Sequence, residues 1–245
     1  MSFTYYGDLL GISGYYRLNP GVAKTKLNDF YSTTFNCLSD YCRSHPEVQV
    51  FMFSDSLLIY GDDARSVLEE LHKVYLRLIH KGILLRGGMV HGKLEFEPRF
   101  TLDNYEKRLP KDDTLARAVG LESTKKGARL LLECELVSEL LANHPDWLTH
   151  EGYVRNVGAY ANIEPIDSIL RRIAPTPEQD HYECLYFWPC PQVQTNETHY
   201  ADKISELKAI QEALKQNIAE HYKETIALLK RCRKREILTR ERIYR

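Results

Sequence analysis

The sequence predicts an α+β fold with a ferredoxin-like βαββαβ core and a C-terminal helical extension. Three features lead to that reading. Apolar strand-like runs alternate with stretches whose apolar residues recur at helical spacing. The segment VQVFMFSDSLLIYG, residues 48–61, places two apolar runs around Ser54-Asp55-Ser56 and reads as a buried β-hairpin with Asp55 at or beside its tip. The order strand, helix, hairpin, helix, strand is that of the ferredoxin-like unit, followed here by a further helix and strand.

The elements follow in order. Residues 3–10 are aromatic and aliphatic and form a strand that ends at Asp8-Leu9-Leu10, after which Gly11 and Gly14 punctuate a turn. Asn19-Pro20 starts a helix with Ala23, Leu27, Phe30, Phe35, Leu38 and Tyr41 on its apolar side, ending near His45-Pro46. After the hairpin, residues 64–80 form an amphipathic helix (Val67, Leu68, Leu71, Val74, Tyr75, Leu78) capped by Gly82. ILLRGGMVHGKLEFE reads as one long strand interrupted at Gly-Gly. Residues 114–123 form a helix, 127–133 a strand and 134–141 another helix. Residues 143–200 read as irregular, with one strand at YECLYFW. From 201 to 235 the chain is helical, with Ile204, Leu207, Leu214, Ile218 and Tyr222 on one face. The expected division is a folded domain over 1–142 and an extension over 143–245, packed on the domain or on a partner.

The bulk numbers exclude several classes. With 245 residues, 43% hydrophobic and 27% charged, the chain has ordinary globular composition and can bury a core without disulfide or metal staples. The formal net charge of -1 selects no partner, although residues 230–245 concentrate basic side chains. A solvated helix end explains that tail, and nucleic-acid binding is not expected. Six cysteines form no C-x-x-C pair, so no zinc site is expected. The N-terminal residues lack the pattern of a signal peptide, and no apolar run is long enough to span a bilayer. These readings place the protein in the cytoplasm with free thiols and no membrane partner.

In a sheet of this topology the first strand and the hairpin are neighbours, which brings Asp8 and Asp55 together. Two carboxylates on adjacent strand ends suit two hard divalent cations, Mn²⁺ or Mg²⁺, that bridge triphosphate oxygens. The turn Gly11-Ile12-Ser13 after Asp8 presents backbone N–H groups suited to phosphate oxygens.

At these residues a resemblance becomes concrete. YYGDLLGISGYY resembles the first metal-binding motif of class III nucleotidyl cyclases, and FMFSDSLLIYG resembles their second metal aspartate in its hairpin. ILLRGGMVHGKL is similar to their next strand, and DDTLARAVGLESTKKGARLLL to their helix-then-strand segment; the likeness spans residues 3–133. It implies a cyclase domain in which Asp8, Asp55 and the Leu9 carbonyl hold the metals and Asp8 and Asp55 are catalytic. Active sites would form between the two copies of a head-to-tail homodimer, with residues 100–113 at the interface.

The departures narrow the reading. Where purine cyclases carry a base-reading Lys or Glu, this chain has Phe51. A second base-reading position falls near Leu109, and the transition-state Asn and Arg fall on Ala116 and Gly120. The altered set resembles the bacterial pyrimidine cyclases of Pycsar antiphage systems. That likeness implies conversion of UTP or CTP into a 3′,5′-cyclic monophosphate, which would activate a separate effector protein. Arg117, one turn before the family's Arg position, is the first candidate for the missing transition-state cation, with Arg86 and Arg129 behind it. Phe51, Gly11, Ile12 and Ser13 are the candidate substrate contacts. Ala116 and Gly120 also fit a chain that keeps the fold and binds nucleotide without turnover; a purine cyclase is a further alternative.

Overall fold

The computed structural model describes residues 1–97, 108–143, 170–176, 179–184, 197–213 and 219–230. The first strand, β1 (Phe3–Leu9), alternates strictly: Phe3, Tyr5 and Leu9 are buried on one face, while Thr4, Tyr6 and Asp8 lie on the other. Where a glycine-punctuated turn was expected, Gly11 (φ +83°) leads into a short helix, α1 (Ile12–Leu18). Seven residues are too few to show helical periodicity, and burial of Ile12 anchors the turn.

Helix α2 (Pro20–Ser44) starts where the sequence indicates. Asn19 is the N-cap, its side-chain oxygen accepting from the N–H groups of Gly21 and Val22, and Pro20 occupies the first turn. Phe35, expected on its apolar side, is exposed; five residues past Phe30 it has rotated off the buried stripe. The hairpin is β2 (Gln49–Phe53) and β3 (Ser56–Gly61), joined at Ser54-Asp55 with Ser54 at φ +52°. Helix α3 (Ala64–His80) is capped by Asp63, which accepts from the Ser66 N–H, and its apolar stripe is buried.

The following strand is shorter than expected. β4 (Leu85–His91) runs straight through Gly87-Gly88 and stops at Gly92 (φ +105°), so the break falls there and not at the glycine pair. Two short strands, β5 (Phe96–Glu97) and β6 (Leu109–Pro110), form a separate ribbon before α4 (Thr114–Ser123), β7 (Leu130–Glu133) and α5 (Cys134–Asn143). Beyond them β8 (Leu170–Thr176) and β9 (Gln179–Cys184) add two strands where one, slightly later, was expected. Helix α6 (Glu197–Ala213) and a helix over 219–230, α7, complete the described chain. The expected apolar residues Leu214 and Ile218, most of the expected interface segment 100–113, and all but the first residue of the basic tail lie outside the described residues.

The sheet order is β2-β3-β1-β4-β7-β9-β8, antiparallel throughout except for the β4–β7 pair. Its first four strands have the expected ferredoxin-like arrangement. One face packs Phe3, Tyr5, Leu57, Ile59, Leu85 and Met89 into a core with α2 and α3. The other face meets α4 through Val90, Leu131, Ala118 and Leu121, with Tyr6 beside them.

The glycine pair lets both layers approach β4. A Cβ on Gly87 would lie 2.4 Å from the Tyr75 hydroxyl and 2.5 Å from the Tyr5 ring, and one on Gly88 would lie 2.6 Å from the Ala118 carbonyl oxygen. Beneath Gly87 the hydroxyls of Tyr5 and Tyr75 hydrogen-bond at 2.9 Å, which satisfies two polar groups in the core.

The last two helices share this core. Ile204, Leu207, Tyr222, Ile226, Leu228 and Leu229 are buried in the same cluster as Phe3 and Leu71. Thr225 Oγ accepts from the Ala128 N–H at 2.9 Å, fastening α7 to the segment before β7. Leu229→Ala should therefore lower the stability of the whole core by about 2–5 kcal/mol, read as an earlier urea midpoint in a single transition. Gly88→Ala should cost about 1–3 kcal/mol by overpacking against α4.

Candidate functional site

Backbone pairing sets the geometry of the two aspartates. Asp8 sits near the end of the central strand β1, opposite Ser56 on β3 and Arg86 on β4. One residue on, the Leu9 N–H donates to the Asp55 carbonyl at 3.0 Å. The hairpin turn is thereby stapled to β1, and Asp55 comes beside Asp8 as the topology predicts. Ser56 Oγ donates to Asp8 Oδ1 at 3.2 Å and shares a 3.0 Å hydrogen bond with the Tyr6 hydroxyl.

The Asp8 carboxyl is held above its ordinary pKa of 3.8, first by burial and then by the negative charge of Asp55. Ser56, Arg86 and the Leu9 N–H offset that only in part. Two carboxylates that repel one another in a half-buried position are suited to a divalent cation. Among the described residues no group of three or more His, Cys, Asp or Glu side chains gathers to hold a metal. The donor set fits ions of the Mg²⁺ type, which take one or two carboxylates and complete their shell with phosphate oxygens and water.

Arg86 lies directly across from Asp8 and forms a buried ion pair with Glu122 on α4, their side chains 16% and 5% exposed. Burial raises the Glu122 carboxyl, against the lowering effect of Arg86. Arg129 is likewise buried and ion-paired, to Glu224 on α7.

Arg117 is not brought to the aspartates within the chain. Its guanidinium donates to Asp113 at 3.1 Å, to Glu133 at 2.6 Å and to the His91 carbonyl at 2.9 Å, at the opposite end of β4 from Arg86. Ala116 and Gly120 lie on the exposed side of α4, with open space around Gly120.

Phe51 and Asp8 share one face of the sheet. Phe51 stacks on Tyr60 with ring centroids 5.8 Å apart and planes 9° apart, and the Arg108 guanidinium lies 4.7 Å from the Phe51 centroid. Phe96 on β5 adds a third ring, edge-on to Tyr60 and 5.8 Å from Arg108. Sequence reasoning missed Arg108, Tyr60 and Phe96. The only available signal was an arginine just before Leu109, on a stretch without clear periodicity. Gly11, Ile12 and Ser13 lie where Asp8 leads: Ile12 is buried in the core, and no side chain caps the first turn of α1.

No family model matches the chain, and no curated protein matches its sequence. Solved structures do match. An adenylate cyclase from Trypanosoma brucei, solved in its monomeric state, is 10% identical with a TM-score of 0.54, over 80% of this chain and 91% of that one. A second T. brucei adenylate cyclase structure is 11% identical with a TM-score of 0.51, covering 79% and 92%. A bacterial light-regulated adenylyl cyclase is 11% identical with a TM-score of 0.50, covering 84% and 96%. The chain has the fold of class III nucleotidyl cyclase domains. Among the described residues no helix is long and apolar enough to cross a membrane.

The raised Asp8 carboxyl has a signed consequence. The folded state binds this proton more tightly than the unfolded chain, so the stability linked to it is full below pH about 4 and is lost as pH rises through the folded value. In metal-free protein at neutral pH, Asp8→Asn should raise the thermal midpoint. Mn²⁺ should raise the midpoint of the wild type and not that of Asp8→Asn, as scanning calorimetry would read.

Proposed function

We propose that this chain is a nucleotidyl cyclase that converts UTP or CTP into a 3′,5′-cyclic monophosphate and pyrophosphate. The observation that carries the reading is the pairing of Asp8 with Asp55 through the Leu9–Asp55 backbone bond, on a cyclase fold. Asp8, Asp55 and the Leu9 carbonyl would hold two Mn²⁺ or Mg²⁺ ions, which lower the pKa of the ribose 3′-hydroxyl and neutralise triphosphate charge. The 3′-oxygen attacks the α-phosphorus in line, its proton passing to water. The bond from the α-phosphorus to the bridging oxygen breaks, and pyrophosphate leaves. Ser56 orients the Asp8 carboxylate, and Arg86 supplies fixed positive charge opposite it.

The preference for a pyrimidine is supported by Phe51. Stacked on Tyr60 with the Arg108 guanidinium over its ring, it presents aromatic surface beside positive charge, a surface suited to stacking on a small base. The exposed side of α4 at Ala116 and Gly120 leaves room for a second copy, as a site shared in a head-to-tail homodimer would require. Arg117 remains the candidate transition-state cation in that arrangement, provided its contacts to Asp113 and Glu133 are exchanged for substrate. The cyclic product would act in the cytoplasm on a separate effector protein in antiphage defence, as the sequence likeness implies. The same exposed side of α4 favours one second reading, a nucleotide-binding regulator without turnover.

Incubation of the full chain with ATP, GTP, CTP and UTP in Mn²⁺, followed by product analysis, should yield cyclic UMP or cyclic CMP with pyrophosphate. Turnover of ATP or GTP alone would defeat the pyrimidine assignment, and nucleotide binding with no product would support the regulator. Asp55→Asn should reduce turnover by at least about 100-fold with the circular dichroism spectrum unchanged.

A further inference from the structure

Helix α4 crosses β4 so closely that the backbone nitrogen of Glu122 lies 2.8 Å from where a Cβ on Gly88 would stand. That approach puts Glu122 over the strand face that carries Arg86, two residues before Gly88. The two side chains form a buried ion pair through Arg86 Nε and Glu122 Oε1. Among the described residues neither side chain has another hydrogen-bond partner. Arg86 is also the cross-strand neighbour of Asp8. Such neighbours share a sheet face with Cβ atoms about 5 Å apart, well within the reach of a guanidinium. One arginine therefore stands between two carboxylates, and it is bonded to the one on the helix.

We propose that Glu122 is a positioning residue for the metal site: by holding Arg86 it keeps the guanidinium off Asp8 and leaves that carboxylate open to a divalent cation. The inference rests on the cyclase reading, since it takes Asp8 to be a metal ligand. Three observations support it. Burial pushes the Glu122 carboxyl up and Arg86 pulls it down, so the helix carboxylate depends on the arginine for its charge. Asp8 stays above its ordinary pKa although Arg86 lies across from it, because burial and Asp55 outweigh the arginine. The side chain that does hydrogen-bond Asp8 is Ser56, a neutral hydroxyl that leaves the negative charge uncompensated. An arginine bonded to Asp8 would supply that compensation and compete with the cation. Glu122 removes the competitor without removing positive charge from the site.

Isothermal titration of the full-length protein with Mn²⁺ tests this. Glu122→Gln should weaken Mn²⁺ binding by about 10–100-fold, because the freed guanidinium turns to Asp8. Arg86→Gln with Glu122→Gln replaces the ion pair by two neutral amides and should recover most of that affinity. A purely structural Glu122 would give no recovery, since the double variant lacks the same helix-to-strand ion pair. Unchanged affinity in Glu122→Gln, or no recovery in the double variant, overturns the proposal. A crystal structure of metal-free Glu122→Gln gives a second readout, in which Arg86 should hydrogen-bond Asp8. If the wild type binds no Mn²⁺, the metal reading of Asp8 falls, and that structure decides what remains. Arg86 on Asp8 would then sustain the role of Glu122 in holding the two apart, and Arg86 left in place would overturn it.

Discussion

The candidate site depends on two like charges brought side by side by main-chain hydrogen bonds. Asp8 is fixed by a central strand paired on both edges, and Asp55 by the bond from the Leu9 N–H to its carbonyl. The backbone positions of both residues are thereby set by the sheet register, and Ser56 orients the Asp8 carboxylate within it. Ser56 and Arg86 temper their repulsion without neutralising it, because Arg86 is also committed to Glu122. A divalent cation between the two carboxylates would relieve such a conflict.

Most of the core was legible in the sequence because its signals were local and strong. The stripe of α3 and the Asn19-Pro20 start of α2 mark helices whose ends match the structure. The apolar hairpin with an acidic tip could be placed beside β1 from topology alone. What escaped had weaker local signals. Helix α1 is too short for periodicity. The break in β4 fell at Gly92 because Gly87 and Gly88 serve packing, which a one-dimensional pattern cannot distinguish from a turn. Of the candidate site, Asp8 and Asp55 could be brought together from the order of elements, whereas the Phe51–Tyr60–Phe96–Arg108 cluster joins separate strands and the residue before β6. Arg117 illustrates the converse: sequence placed it on a helix but could not reveal the two carboxylates that occupy it.

The C-terminal helices alter how the chain divides. Residues of α6 and α7 enter the cluster that holds Phe3, Leu57 and Leu71, and Thr225, His221 and Glu224 tie α7 to the segment 127–129. A boundary drawn at 142 separates sequence patterns but cuts through one apolar core. The amphipathic stripe on these helices was visible; which surface it would cover was not, because many faces compete for a stripe of that size.

The paired glycines carry a mechanical implication. With no side chains at 87 and 88, β4 has tyrosine rings pressed on one surface and the main chain of α4 on the other, leaving no soft layer to absorb displacement. The stretch of β4 beside Gly7 and Asp8 is therefore clamped on both faces, so a side chain added at either glycine must displace the tyrosines or α4.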